Sequence, residues 1–179
     1  LTFKLNKILS YGENYHQNAA FYQHENSKEQ LPGFIQHQGK PLSYNNFLDL
    51  DSGVGLLQNF TNQIKPLIGI IKHTNPCGVA SADTVLEALD RSFQCDAISA
   101  FGGIVVSNTL ISPPVANKIV ETFFEVIIAP SFQEDSLKVF SKKPNLRIIS
   151  IGEDWKLNPR IIYELRSIYS GFLFQEKDY

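Results

Sequence analysis

The feature that most constrains the fold of this chain is a series of four short apolar segments between residues 67 and 151, separated by stretches with helical spacing. Leu67-Ile68-Gly69-Ile70-Ile71, Gly103-Ile104-Val105-Val106-Ser107, Glu125-Val126-Ile127-Ile128-Ala129 and Leu146-Arg147-Ile148-Ile149-Ser150-Ile151 are too short for helices and rich in β-branched residues. Their near-continuous apolarity predicts strands buried on both faces. After the first, Asp83-Thr84 can cap a helix through about Phe93, because Val85, Leu86, Leu89 and Phe93 recur at helical spacing. Ser112 before Pro113 and Pro114 opens a second helix to about Phe124, with Val115, Ile119, Val120 and Phe123 on its apolar face. A third runs through Leu137 and Phe140. The alternation predicts a layered α/β domain with its core over residues 65 to 151.

Residues 1 to 50 differ. They are polar and aromatic, and Gly12, Pro32, Gly33, Gly39 and Pro41 interrupt any long period, which predicts loops and short strands. With 43% of its 179 residues hydrophobic, the chain has apolar material for one compact core, so a single domain is expected.

Composition also narrows the partners. The 16 Lys and Arg residues are spread along a chain of net charge -2 and form no stripe able to track phosphates, which argues against nucleic acid. No apolar run approaches the roughly 20 residues needed to cross a bilayer, and the first residues lack the pattern of a secretory signal. Two cysteines, Cys77 and Cys95, are too few for a disulfide framework, and with four histidines they give no zinc-ligand spacing. A reducing cytoplasm and no metal are the expectations.

The first strand runs into Lys72-His73 and then Pro76-Cys77-Gly78, which predicts a strand ending in a turn and loop, a place where chemistry often sits. From local sequence alone a Lys-His pair there is more often a solvated strand end, while Asn46 reads equally as an Asx-turn residue, Gly102-Gly103 also as a tight turn, and Glu125 also as a local cap.

Five ordered stretches add a resemblance. Tyr11-Gly12-Glu13-Asn14 with His16-Gln17, and Gly39-Lys40 with Leu42-Ser43-Tyr44-Asn45-Asn46, resemble the first two motifs of the AICAR transformylase domain in the bifunctional AICAR transformylase/IMP cyclohydrolase family. Lys72-His73-Thr74-Asn75-Pro76-Cys77-Gly78-Val79-Ala80 is similar to that family's central motif. Ser99-Ala100-Phe101-Gly102-Gly103-Ile104 and Phe124-Glu125-Val126-Ile127-Ile128-Ala129-Pro130 resemble the next two. The likeness runs from about Tyr11 to Gly171, and several motifs in order are far more specific than one.

The resemblance implies a cytidine-deaminase-like α/β layer, the first of two in the transformylase, with the second subdomain and the cyclohydrolase domain outside this chain. It implies formyl transfer from 10-formyltetrahydrofolate, as co-substrate, to the 5-amino group of AICAR, in a homodimer or in association with the missing half. Lys72 and His73 become candidate catalytic residues, His73 as the base for the amine proton and Lys72 for charge on the formyl oxygen or orientation of the carboxamide. Ser10, Tyr11, Asn46, Phe101, Gly102 and Glu125 become candidate substrate-binding residues. Two positions depart from the family: Ser10 stands where an Arg is usual, and Tyr15 where Pro or Ser is common before His-Gln. A hydroxyl cannot replace a permanently charged planar fork against an anion. The competing expectation is therefore a non-catalytic remnant or isolated half-domain, binding substrate weakly or not at all. Cys77 after Pro76 is faintly like a zinc-deaminase element, but no second cysteine or His-x-Glu accompanies it, and a small buried thiol is the better reading.

Overall fold

The computed structural model describes residues 2–24, 34–156 and 163–176. Within the 65 to 151 region the alternation is realised. Strands β1 (Phe3–Leu9) and β2 (Ala19–His24) form an antiparallel hairpin, followed by β3 (Ile35–Gln38) and helix α1 (Tyr44–Gln58). Then come β4 (Leu67–Lys72), β5 (Asn75–Ser81), α2 (Val85–Cys95), α3 (Ala97–Ala100) and β6 (Ile104–Ser107). The remaining elements are α4 (Pro113–Ile119), β7 (Val126–Ala129), α5 (Glu134–Phe140), β8 (Arg147–Ser150) and a second hairpin of β9 (Tyr163–Ile168) and β10 (Gly171–Glu176).

One mixed sheet of six strands, in the order β3-β8-β7-β6-β4-β5, organises the domain. Its β6, β7 and β8 are parallel, whereas β4 runs antiparallel to β6, and β5 and β3 antiparallel to their neighbours. The pleat divides the apolar strand residues between two cores. Ile68, Ile70, Val105, Ile127 and Ile148 pack with Ala88, Leu89, Val115, Ile119 and Phe140 from α2, α4 and α5. Leu67, Ile71, Ile104, Val106, Val126, Ile128 and Ile149 pack instead with Leu57 of α1 and with Trp155. Burial on both faces explains why these strands are continuously apolar rather than alternating.

Three expectations are corrected. The Pro76-Cys77-Gly78 stretch is not a loop but lies inside β5, which pairs with β4 from Lys72↔Asn75 to Leu67↔Ser81. The helix after Ser112 stops at Ile119 rather than near Phe124, because its last carbonyls are taken by the Val120 and Glu121 amides in a short terminal turn. The 1 to 50 segment holds the start of a 15-residue helix that its glycines and polar residues obscured. The stretch containing Pro32 and Gly33 lies outside the described residues.

Helix α1 begins at Ser43, whose side chain accepts the Asn46 amide while the Asn46 side chain accepts the Ser43 amide, a reciprocal cap. Its seat on the sheet depends on Gly53, which is buried. A Cβ there would lie 2.4 Å from Cγ1 of Val106, inside any tolerable contact. Overpacking of this kind destabilises by ~1–3 kcal/mol, outweighing the ~0.5–1 kcal/mol that Ala gains over Gly within a helix. Gly55, two residues on, has nothing within 4 Å of the equivalent position. We therefore expect Gly53→Ala to lower the urea-unfolding free energy by roughly 1 kcal/mol, and Gly55→Ala to raise it by ~0.4–1 kcal/mol; the opposite ordering would show that α1 does not sit this closely.

Candidate functional site

The candidate residues converge on one rim of the sheet. Because β4 runs against its parallel neighbours, its C-terminal end meets the N-terminal ends of β6, β7 and β8. Lys72 at the end of β4, Phe101-Gly102 before β6, Glu125 before β7 and Arg147 at the start of β8 consequently form a row. Backbone hydrogen bonds stitch it together: Gly102 N–H to Phe123 O at 2.8 Å, Glu125 N–H to Gly103 O at 2.9 Å, and Arg147 N–H to Glu125 O at 3.1 Å.

The centre of the rim is the two-residue turn joining β4 to β5. His73 and Thr74 occupy it at φ 51° and 64°, the positive angles that a tight hairpin of this hand requires at both central positions. Asn-Gly is the usual solution; a β-branched Thr in this region is an outlier, and such residues carry ~1–3 kcal/mol of strain each. The turn is held from outside. Thr74 N–H donates to Asp49 Oδ1 at 2.8 Å and Thr74 O accepts from Ser52 Oγ at 2.5 Å, while the His73 carbonyl accepts from Thr74 Oγ1 and Asn75 Nδ2. His73 itself is exposed.

Lys72 points along the rim, its Nζ donating to the Phe101 carbonyl at 3.0 Å. Gly102 follows with φ 69°, and a Cβ at that residue would stand 3.2 Å from the Lys72 Nζ. Glycine there satisfies the backbone angle and leaves room for the ammonium. Phe101 and Phe123 form a tilted aromatic pair, centroids 5.2 Å apart and both rings exposed, flanking this cation.

At the other end of the row, Asn46 serves as a local backbone cap, close to the turn reading of its sequence, and also reaches the rim. Its Oδ1 completes the helix cap, and its Nδ2 donates to Glu125 Oε2 at 3.2 Å. Glu125 also faces the Arg147 guanidinium at 3.9 Å. Arg147 has only 13% of its side chain exposed and donates twice to the Pro41 carbonyl, both at 3.3 Å. Burial pulls its pKa below the ordinary value, opposed by the charge of Glu125. Asn45 Nδ2 reaches the Glu13 carbonyl, tying the Tyr11-Gly12-Glu13-Asn14 loop to α1. Ser10 lies exposed at the end of β1 beside Tyr11.

Of the eight predicted site residues, Lys72, His73, Asn46, Phe101, Gly102 and Glu125 come together at this rim, Tyr11 belongs to the loop that Asn45 ties to α1, and Ser10 is exposed just before that loop. Three more belong to it: Asp49, Ser52 and Arg147. Asn46, Asp49 and Ser52 follow one another at i, i+3, i+6, a polar stripe that would have been visible had the helix been recognised. Among the described residues, no group of three or more His, Cys, Asp or Glu side chains could hold a metal ion. Cys77 is half-buried, donating to the Ile70 carbonyl at 3.5 Å, and burial pushes its thiol pKa up.

The comparisons decide the family. A profile described as the AICARFT/IMPCHase bienzyme matches residues 1–179. The chain belongs to the AICARFT/IMPCHase bienzyme family. It is 43% identical over 176 residues to the bifunctional purine biosynthesis protein PurH of Ruegeria pomeroyi, covering 98% of this chain and 33% of that protein. It is 42% identical over 170 residues to PurH of Desulfitobacterium hafniense, covering 95% of this chain and 32% of that one. Against PurH of Caulobacter vibrioides the identity is 42% over 183 residues, with 97% and 33% covered. The chain spans about a third of the length of these AICARFT/IMPCHase relatives.

Asp49 lies on α1 between Asn46 and Ser52. It feels the charges of His73, Lys72 and Glu125, but burial is the largest influence and raises its pKa above the ordinary 3.8. A carboxyl with a raised folded-state pKa is disfavoured as the anion, so it lowers stability as pH rises through the folded value. Asp49→Asn keeps an acceptor for the Thr74 amide and removes the charge. We expect its urea midpoint to exceed that of the parent chain at pH 7 and to approach it near pH 4; an equal offset at both pH values would contradict the assignment.

Proposed function

We propose that this chain contributes to purine biosynthesis by binding AICAR along the rim and taking part in formyl transfer to its 5-amino group from 10-formyltetrahydrofolate. The carrying observation is the strained turn that presents His73 beside Lys72, within a row that also holds Asn46 and Glu125. Family membership supports the reading, since the relatives are named as bifunctional purine biosynthesis proteins.

The chemistry follows from the acceptor. The ring carboxamide withdraws density from the amine, so that nitrogen attacks well only as its proton leaves. His73, as the neutral imidazole, takes that proton while the amine nitrogen bonds to the formyl carbon. Lys72 Nζ, moored at the Phe101 carbonyl, stabilises the oxygen that becomes negative in the tetrahedral intermediate. Collapse breaks the bond from formyl carbon to N10, and the proton held by His73 passes to N10 of the departing tetrahydrofolate. Asn46 and Glu125 supply polar contacts to the nucleotide, and the exposed Phe101 and Phe123 rings offer apolar surface for a planar heterocycle. Arg147 brings a permanent positive charge to a rim where Ser10 replaces the usual Arg.

The openness of the rim supports completion of the site by a second copy of the chain or by a further subdomain. The strand order β5-β4-β6-β7-β8, with helices on both faces, favours the cytidine-deaminase-like description of the layer.

Calorimetric titration with AICAR tests the reading. Saturable binding by the parent chain, reduced at least tenfold in a Lys72→Ala/His73→Ala double variant that remains folded, is the expected result. No binding by the parent, or equal binding by both, would favour a fold that keeps the motifs without the activity.

A further inference from the structure

The positive φ angles at His73 and Thr74 need an explanation beyond the hairpin itself. A two-residue turn filled by His and Thr, without glycine or asparagine, is poorly suited to this backbone conformation, and strained residues persist only where their surroundings over-determine them. The hairpin supplies bonds to the His73 carbonyl, from Thr74 Oγ1 and from Asn75 Nδ2 at the start of β5, and its ladder ends at the Lys72↔Asn75 pair, leaving the Thr74 N–H and C=O to be met from elsewhere. The restraint comes from α1. Asp49 and Ser52, one helical turn apart, meet the same residue from one side, the carboxylate accepting its N–H and the hydroxyl donating to its C=O.

We infer that Asp49 and Ser52 are positioning residues: together they clamp the Thr74 backbone and thereby hold His73 in the left-handed conformation in which it stands exposed beside Lys72. The inference rests on the reading of His73 as the base, and adds what fixes its place. Neither residue touches the reacting atoms in this scheme. Both act through the turn.

Three observations favour a dedicated clamp over incidental surface contact. Both polar groups of one peptide residue are satisfied by two side chains of one helix. That helix is brought within reach by the close approach at Gly53, so clamp distance and helix seat are one constraint. Asp49 is also retained as a partly buried carboxyl although burial disfavours its charge, a cost unlike that of an ordinary solvated surface acid.

The test needs no substrate and so fails or succeeds independently of the formyl-transfer reading. Amide hydrogen exchange is followed by NMR on the 179-residue chain for the parent, Asp49→Ala, Asp49→Asn and Ser52→Ala, together with the 13Cα and 13Cβ shifts of His73 and Thr74, which report the sign of φ. The clamp predicts that Asp49→Ala loses at least tenfold of the Thr74 amide protection. It also predicts that the His73 and Thr74 shifts leave left-handed values, while Ile70 and Val105 amides in the sheet keep theirs. Asp49→Asn, which still accepts the Thr74 N–H, restores both signatures, and Ser52→Ala moves the shifts in the same sense as Asp49→Ala by a smaller amount. Unchanged His73 and Thr74 shifts in Asp49→Ala would overturn the inference. So would loss of protection throughout β4 in Asp49→Asn, since that would make Asp49 a requirement of the sheet rather than of the turn.

Discussion

The close approach of α1 to the sheet at Gly53 is the constraint on which the rest of the rim depends. Helix position decides whether Asn46 reaches Glu125, whether Asp49 and Ser52 reach Thr74, and whether Asn45 reaches Glu13. Each of these contacts spans one side-chain length, and an outward shift of the helix by about an ångström to admit a Cβ would lengthen all of them together. The core face of α1, through Gly53 and Leu57, and its polar stripe, through Asn46, Asp49 and Ser52, are therefore parts of one device. Packing fixes the helix, and the fixed helix spends its hydrogen-bonding groups on the turn and the rim.

Strand direction supplies the second constraint. In a wholly parallel sheet the ligand crevice lies beyond the carboxyl ends of the strands. Here the candidate residues gather at the amino ends of β6, β7 and β8, and the antiparallel strands β4 and β3 present their carboxyl ends to them. Reversal of β4, seen in its antiparallel pairing with β6, puts Lys72 and His73 beside Phe101, Gly102 and Glu125. The same reversal lets one backbone network of alternating strand starts and ends hold a cation, an acid and an imidazole within a short arc.

The sequence made some of this legible and hid the rest for identifiable reasons. Buried strands and amphipathic helices between Leu67 and Ile151 were readable because burial on two faces demands continuous apolarity and burial on one face demands helical spacing. The β4–β5 hairpin was not, because His-Thr is not turn chemistry; the conformation is imposed by α1, a contact 22 or more residues away that no local window contains. Helix α1 itself escaped because Gly53 and Gly55 look like breakers, whereas the first is there for proximity to Val106. The candidate residues Lys72, His73, Asn46 and Glu125 were visible only as a family likeness, and spatial convergence gives them a physical relation that spacing along the chain could not. Arg147 was assigned to a strand and given no further role, since nothing in its neighbourhood marks a half-buried guanidinium.

A single measurement addresses whether the rim is one site. In 15N-labelled chain titrated with AICAR, backbone amide shifts of Asn46, His73, Thr74, Gly102 and Arg147 are predicted to move together along one saturation curve. Movement confined elsewhere, for example to the groove between α2 and α4 lined by Leu89, Phe93, Ile119 and Thr122, would contradict the account.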